Sequence, residues 1–229
     1  MSAHDADGAR PDARAAVLAA VREALVDSPD AEPVPRTYRR AGERSADAGD
    51  DVGHLLDLLV ERLEDYRATV VRCAHADVRA AVAAQLEGVG SVVVPPGLPA
   101  AWAGAPGDAG AQVRVDSDAQ RLTHAELDAT GAVLTACRAA VAETGTIVLD
   151  AEPDQGRRAI TLLPDRHVCV VRADQVVTGV PDAVAVLAEH PTRPLTWVSG
   201  PSATSDIELV RVEGVHGPRD LRVVVVDPA

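Results

Sequence analysis

The sequence has no phenylalanine, and aromatic residues occupy only 2% of its 229 positions. A core must therefore be assembled from Val, Leu, Ile and Ala, and Val/Ala-rich runs of that kind suit parallel strands buried on both faces. Lysine is missing too: all 22 basic residues are Arg. That excludes a Schiff-base lysine, a pyridoxal anchor and a Walker lysine, and leaves Arg, hydroxyls and backbone N–H groups to hold any anion. Cys73, Cys137 and Cys169 are scattered without a C-x-x-C pair, so no iron–sulfur cluster or zinc knuckle is expected on this chain. No H-E-x-x-H pairing points to another metal. No apolar run reaches the roughly 18 residues that a membrane span needs, and the first residues carry no hydrophobic leader. The expected place is the cytoplasm. The formal charge of -13 argues against nucleic acid as a partner, because that surface demands a basic face.

What is present is an alternation of helical and strand-like runs. Residues 13–26 place Val17, Leu18, Val21 and Leu25 on one helical face. Residues 27–50 are polar, rich in Pro, Arg and Asp, and read as a flexible arm; its Arg36, Arg39 and Arg40 suit either a solvated loop or an arm that docks on a partner. This divides the chain into an N-terminal helix and arm, 1–50, and an α/β domain, 51–229. From Asp51 a helix is followed by strand Thr69–Cys73, helix Ala76–Leu86 and strand Ser91–Val94, then by a Gly/Ala/Pro loop from Leu98 to Gly110 carrying Trp102. After a short helix at His124–Asp128 come strands at Ala132–Thr135, Ala139–Ala142, Thr146–Leu149, His167–Val171 and Gln175–Val177. A helix at Asp182–Glu189, a strand at Leu195–Val198, a helix from about Ser205 and a strand at Leu221–Val226 close the chain. This rhythm predicts a Rossmann-like three-layer α/β sandwich with a mostly parallel sheet.

Three constellations carry chemistry. Glu143, Thr144, Gly145 and Thr146 form a tight turn between two apolar runs, with Glu143 the candidate base. Arg157, with Arg158 after a Gly loop, could clamp a carboxylate or belong to a surface salt bridge. Ser199, Gly200, Ser202, Thr204, Asp206 and Glu208 form a hydroxyl-rich turn, and Gly214-Val215-His216-Gly217-Pro218 follows. Ser205 and Glu208 have capping-box spacing, and a strand that opens a helix this way would aim N–H groups at an anion. Ligand sites in open α/β sheets lie outside the carboxyl ends of the strands, so Glu143, the serine turn and His216 are expected to converge there.

The segments AVAETGTIVL, LLPDRHVCVV and VSGPSATSDIELVRVEGVHGP, in this order, resemble the LUD domain family over roughly residues 50–227. The resemblance implies a fold similar to the ribose-5-phosphate isomerase and CoA-transferase group. It also implies a part in oxidising L-lactate to pyruvate as a subunit of a lactate utilization system. Two partner proteins would act with it, one or both bearing iron–sulfur clusters, while this chain binds no cofactor of its own. Its ligand would be a small carboxylate or other anion, met by Glu143 and His216 with Thr144, Gly145, Thr146, Arg157 and the serine turn. Two other functions fit the same residues: a free-standing isomerase or acyl- or CoA-transferase acting on a small anion through Glu143, and a non-catalytic assembly module.

Overall fold

The computed structural model describes residues 12–26, 33–43, 51–205, 211–213 and 216–228. It divides into two compact units, Met1–Tyr38 and Arg39–Ala229. In the first, helix α1 (Ala13–Ala24) starts at Asp12, whose carboxylate accepts a hydrogen bond from the Arg14 N–H at 3.1 Å.

The second unit carries helices α2 (Val52–Asp65), α3 (Val78–Gln85), α4 (Ala100–Ala103), α5 (Ala105–Asp108), α6 (His124–Asp128) and α7 (Val180–Leu187). Its strands are β1 (Thr69–Cys73), β2 (Ser91–Val94), β3 (Gln112–Val115), β4 (Ala132–Thr135), β5 (Ala139–Val141) and β6 (Thr146–Leu149). They continue with β7 (Arg166–Arg172), β8 (Val176–Val177), β9 (Thr196–Val198), β10 (Ala203–Ser205), β11 (Arg211–Glu213) and β12 (Asp220–Val226). Six strands form one sheet in the order β1-β12-β7-β4-β2-β3, and every pairing in it is parallel. A second sheet, β8-β5-β6-β9, is mixed.

The Val runs of β7 and β12 are central because both of their faces are covered. Val168, Val170, Val224 and Val226 pack with Val78 and Val82 of α3 and with Trp102. The alternate residues Cys169, Val171, Val223 and Val225 pack with Ile147 of the second sheet and Leu56, Leu59 and Leu63 of α2. Those three leucines stand at i, i+3 and i+7, so one helical stripe enters this core. On the same side, Val93 and Val133 meet Leu127 of α6 and Ile160. The layers are thus helices, a parallel sheet, and a second sheet with α2 and α6. Each buried Val or Leu side chain contributes roughly 1.5–3 kcal/mol. Helix α6 is short but closed by a full capping box: Thr123 Oγ1 accepts from the Glu126 N–H at 3.2 Å and Glu126 accepts from the Thr123 N–H at 2.8 Å. No helix among the described residues is long and apolar enough to cross a membrane.

Three expectations are corrected. Ser205 does not start a helix: it lies in β10, which pairs antiparallel with β11, with Ala203 opposite Glu213 and Ser205 opposite Arg211. The rest of the expected helix, residues 206–210, lies outside the described residues. The Ser205–Glu208 spacing is a local signal, and the β-branched Thr204 and Val212 are stiff in helices and suited to paired strands. The loop from Leu98 to Gly110 contains α4 and α5, which bury Trp102 and Ala105. Gln112–Val115 is an additional edge strand; three of its four residues are exposed, so it carries little of the apolar signal of a buried strand.

Candidate functional site

Gly145 and Gly200 set the two turns that build the site. Gly145 has φ +56°, and a Cβ there would stand 2.8 Å from the Arg62 backbone. Gly200 has φ +83°, and a Cβ would stand 2.7 Å from Tyr66 O. Only glycine combines that conformation with that approach. Both turns are thereby pressed against the carboxyl end of α2, and their hydroxyls meet. Thr144 Oγ1 lies 2.7 Å from Thr146 Oγ1, which lies 2.8 Å from Ser199 Oγ. The serine turn is tied in the same way to the turn before β12. The Ser202 N–H donates to Pro218 O at 2.8 Å, and Ser202 Oγ accepts from the His216 N–H at 3.1 Å. Thr144, Gly145, Thr146, Ser199, Gly200, Ser202 and His216 are thus one connected set. Thr204 lies in β10, and Asp206 and Glu208 fall outside the described residues.

A cavity of about 300 Å³ opens beneath these turns. The strand Thr196–Val198, the Ser199–Ala203 turn and the His216–Pro218 turn form one side of it. Arg158, Thr161 and Leu162 form another, and His167 and Leu221 line it as well. His167 and Leu221 are the second residues of β7 and β12, so the cavity lies at the amino ends of those parallel strands. The expectation of a pocket at the carboxyl ends is corrected accordingly. The reason is the second sheet, whose β9 delivers the serine turn to the opposite end of the main sheet.

Arg158 gives this cavity its character. Between residues 51 and 228, every other arginine with a described side chain has a carboxylate or other partner. Among the described residues the Arg158 guanidinium has neither a hydrogen bond nor an ion pair; its own backbone carbonyl accepts from Thr161 Oγ1 at 3.0 Å. His167 is the buried titratable member of the wall, 2% exposed, with Nε2 2.8 Å from Thr135 Oγ1. Burial pushes its pKa down from 6.5 to about 4, so the ring is neutral at physiological pH. One cation, a neutral imidazole, His216 and several hydroxyls suit a small monoanion that also carries a hydroxyl or carbonyl.

Two of the predicted residues lie elsewhere. Arg157 points away from this cavity: Nε and Nη2 bind Asp116 at 2.8 and 2.9 Å, and Nη2 also donates to Leu122 O at 2.6 Å. Glu143 is paired bidentately with Arg39, which lies across Gly179. The Gly42 N–H donates to Asp182 at 2.7 Å, so residues 39–43 are fastened both to Glu143 and to the first turn of α7. Arg158 was marked only as the neighbour of Arg157 in the clamp pair, and Thr161, Thr135 and His167 were not singled out as site residues. The one legible sign was a histidine inside the Val-rich strand HVCVV, where an imidazole needs a buried partner.

The carboxyl ends of the strands carry a larger cavity, about 480 Å³, with His75, Arg172, Asp174 and Asp227 in its wall. Arg172 Nε is bound to Asp174 at 3.0 Å, and two carboxylates face one paired guanidinium, which disfavours an anion. Next to it, Arg138 and Arg193 bind Asp150 and Glu152, a network that staples the Asp150–Gln155 loop. A hydrogen bond to Cys169, and then burial, hold Cys137 well above its ordinary range, and burial raises Cys73.

The fold is a parallel α/β sandwich with a cavity lined by hydroxyls, two histidines and Arg158 at the amino ends of its central strands. The chain belongs to the LUD domain family, whose model matches residues 56–226. It is 44% identical to lactate utilization protein C of Deinococcus radiodurans, over 94% of this chain and 96% of that one. It is 33% identical to lactate utilization protein C of Bacillus licheniformis, over 49% of this chain and 47% of the relative. The crystal structure of a DUF162 family protein from Deinococcus radiodurans matches with a TM-score of 0.67 at 41% identity, covering 78% of this chain and 99% of that one.

Proposed function

We propose that this chain serves L-lactate utilization as a cytoplasmic subunit that binds a small carboxylate and works with iron–sulfur partner proteins, which carry the electrons as lactate becomes pyruvate. The observation that carries the ligand class is Arg158, unpaired among the described residues and set in the wall of the His167 cavity. In a chain of formal charge -13, such a cation is the natural seat of a carboxylate. The names of the relatives support the pathway. The cysteine pattern supports placing the clusters on partners, since the three thiols have no cluster-binding spacing. In this reading Glu143 is a positioning residue: it holds Arg39, while the hydroxyl chain from Thr144 through Thr146 to Ser199 fixes the serine turn.

The test is growth on L-lactate as sole carbon source after deletion of the gene and complementation. The wild-type gene restores growth, and R158A, expressed at normal level and melting normally, does not. Wild-type growth with R158A would remove the cavity from the function. Purification from lactate-grown cells is expected to bring down iron–sulfur proteins; a chain that elutes alone would overturn the partnership.

A further inference from the structure

The cavity's buried histidine belongs to a chain of hydrogen bonds that runs through Thr135 and Cys169 to Ala136. The Cys169 thiol donates to Ala136 O at 3.7 Å, so its sulfur is left as an acceptor. The Thr135 hydroxyl reaches two acceptors, that sulfur at 3.9 Å and His167 Nε2 at 2.8 Å. With its proton on the sulfur, Thr135 Oγ1 accepts from the His167 Nε2–H and every member of the chain donates in one direction. In that tautomer the neutral imidazole keeps a bare lone pair on Nδ1. Among the described residues Nδ1 has no partner, while the ring lines the cavity that holds Arg158.

We propose that His167 is the specificity-determining residue of this cavity, its Nδ1 accepting a hydrogen bond from the hydroxyl of a 2-hydroxy carboxylate whose carboxylate sits on Arg158. This rests on the carboxylate reading above and adds to it the discrimination between the hydroxy acid and its oxidised or unsubstituted analogues. A 2-oxo acid offers a carbonyl oxygen, which has no proton to give and would face the Nδ1 lone pair. A plain carboxylic acid of the same length offers a methylene and leaves Nδ1 unpaired. A site built to accept from a substrate hydroxyl rejects analogues lacking it, because the buried polar group is then unsatisfied. Thr135 is a positioning residue here: it touches only the far side of the ring and sets which nitrogen holds the proton.

The test is calorimetric titration of the full chain at pH 7 with L-lactate, pyruvate and propionate, together with ¹⁵N NMR of histidine-labelled protein. L-Lactate is expected to bind at least about tenfold tighter than either analogue. His167 should show a pyrrole-type shift at Nε2 and a pyridine-type shift at Nδ1. T135V, which keeps the shape of the side chain and removes its hydroxyl, should bring the lactate-to-pyruvate ratio to within about threefold while propionate binds as before. R158A should lose all three ligands. Equal affinities for the three acids in the wild type, an Nδ1–H tautomer, or an unchanged ratio in T135V would each overturn the specificity proposal and leave the carboxylate site standing. If none of the three acids binds the wild type, the carboxylate reading falls and takes this proposal with it.

Discussion

Arg157 closes on Asp116 with two parallel hydrogen bonds of 2.8 and 2.9 Å, and its sequence neighbour Arg158 faces the cavity on the other side of the turn. Asp116 is 4% exposed. Burial works against its charge, but hydrogen bonds from Arg157 and from the Leu122 N–H outweigh it and hold the carboxyl below its usual range. Removing Arg157 strands that carboxylate. R157A is therefore expected to lose roughly 3 kcal/mol in urea denaturation. R158A should stay within about 0.5 kcal/mol of the wild type and lose carboxylate binding instead. Equal destabilisation by the two variants would mean that Arg158 is structural.

The two left-handed glycines give a second prediction. At Gly145 and Gly200 an added methyl group meets backbone atoms, which cannot rotate aside. G145A and G200A should each cost about 1–3 kcal/mol, measured as a drop in urea midpoint. G88A is the control: its φ is +76°, but nothing lies within 4 Å, so only the conformational part remains. A G200A protein as stable as G88A would show that the serine turn relaxes easily.

His167 makes stability depend on pH in a known direction. Its folded pKa is about 4 against an ordinary 6.5, so between those values the unfolded chain binds more protons than the folded one. Stability therefore rises with pH in that window: the contribution is complete above about pH 6.5 and is lost as pH falls toward 4, on the order of 3 kcal/mol in all. Asp154 moves oppositely, since burial and then Glu152 raise its carboxyl, so acid relieves it. The comparison that isolates His167 is urea midpoint against pH for the wild type and H167Q. The wild type should fall more steeply between pH 6.5 and 4; parallel curves would show that the imidazole is not desolvated.

Residues 39–43 supply the fourth prediction. They are held by the Arg39–Glu143 pair and by the Gly42 N–H on Asp182. E143Q removes the charge that Arg39 answers, so tryptic cleavage after Arg39 and Arg40 should be severalfold faster than in the wild type, while the remaining domain stays intact. Identical rates would mean that the pair does not restrain the segment.

Much of this architecture is local enough to be legible in the chain. Four strands, Thr69–Cys73, Ser91–Val94, Ala132–Thr135 and Thr146–Leu149, begin and end where the sequence pattern places them. The leucine stripe of α2 and the cap at Thr123 depend on neighbours three to seven residues away, so periodicity reveals them. The Ser202–His216 tie joins two turns that the sequence already marked by their hydroxyls and glycines. What sequence alone determined is the parallel sheet, five of its six strands and the turns that carry the candidate residues.

Tertiary structure decided the rest, because the relevant partners are far apart in the chain. Which of two adjacent arginines is consumed depends on Asp116, 41 residues away. Glu143 looks like an uncommitted acid until Arg39, 104 residues earlier, closes on it. Ser205 has capping-box spacing to Glu208, yet Ser205 itself pairs in β10 opposite Arg211 of β11, since strand pairing is non-local and overrides a cap whose effect is about 1 kcal/mol. The end of the sheet at which the cavity opens is likewise set by where the second sheet lies, and sequence periodicity carries no information about that.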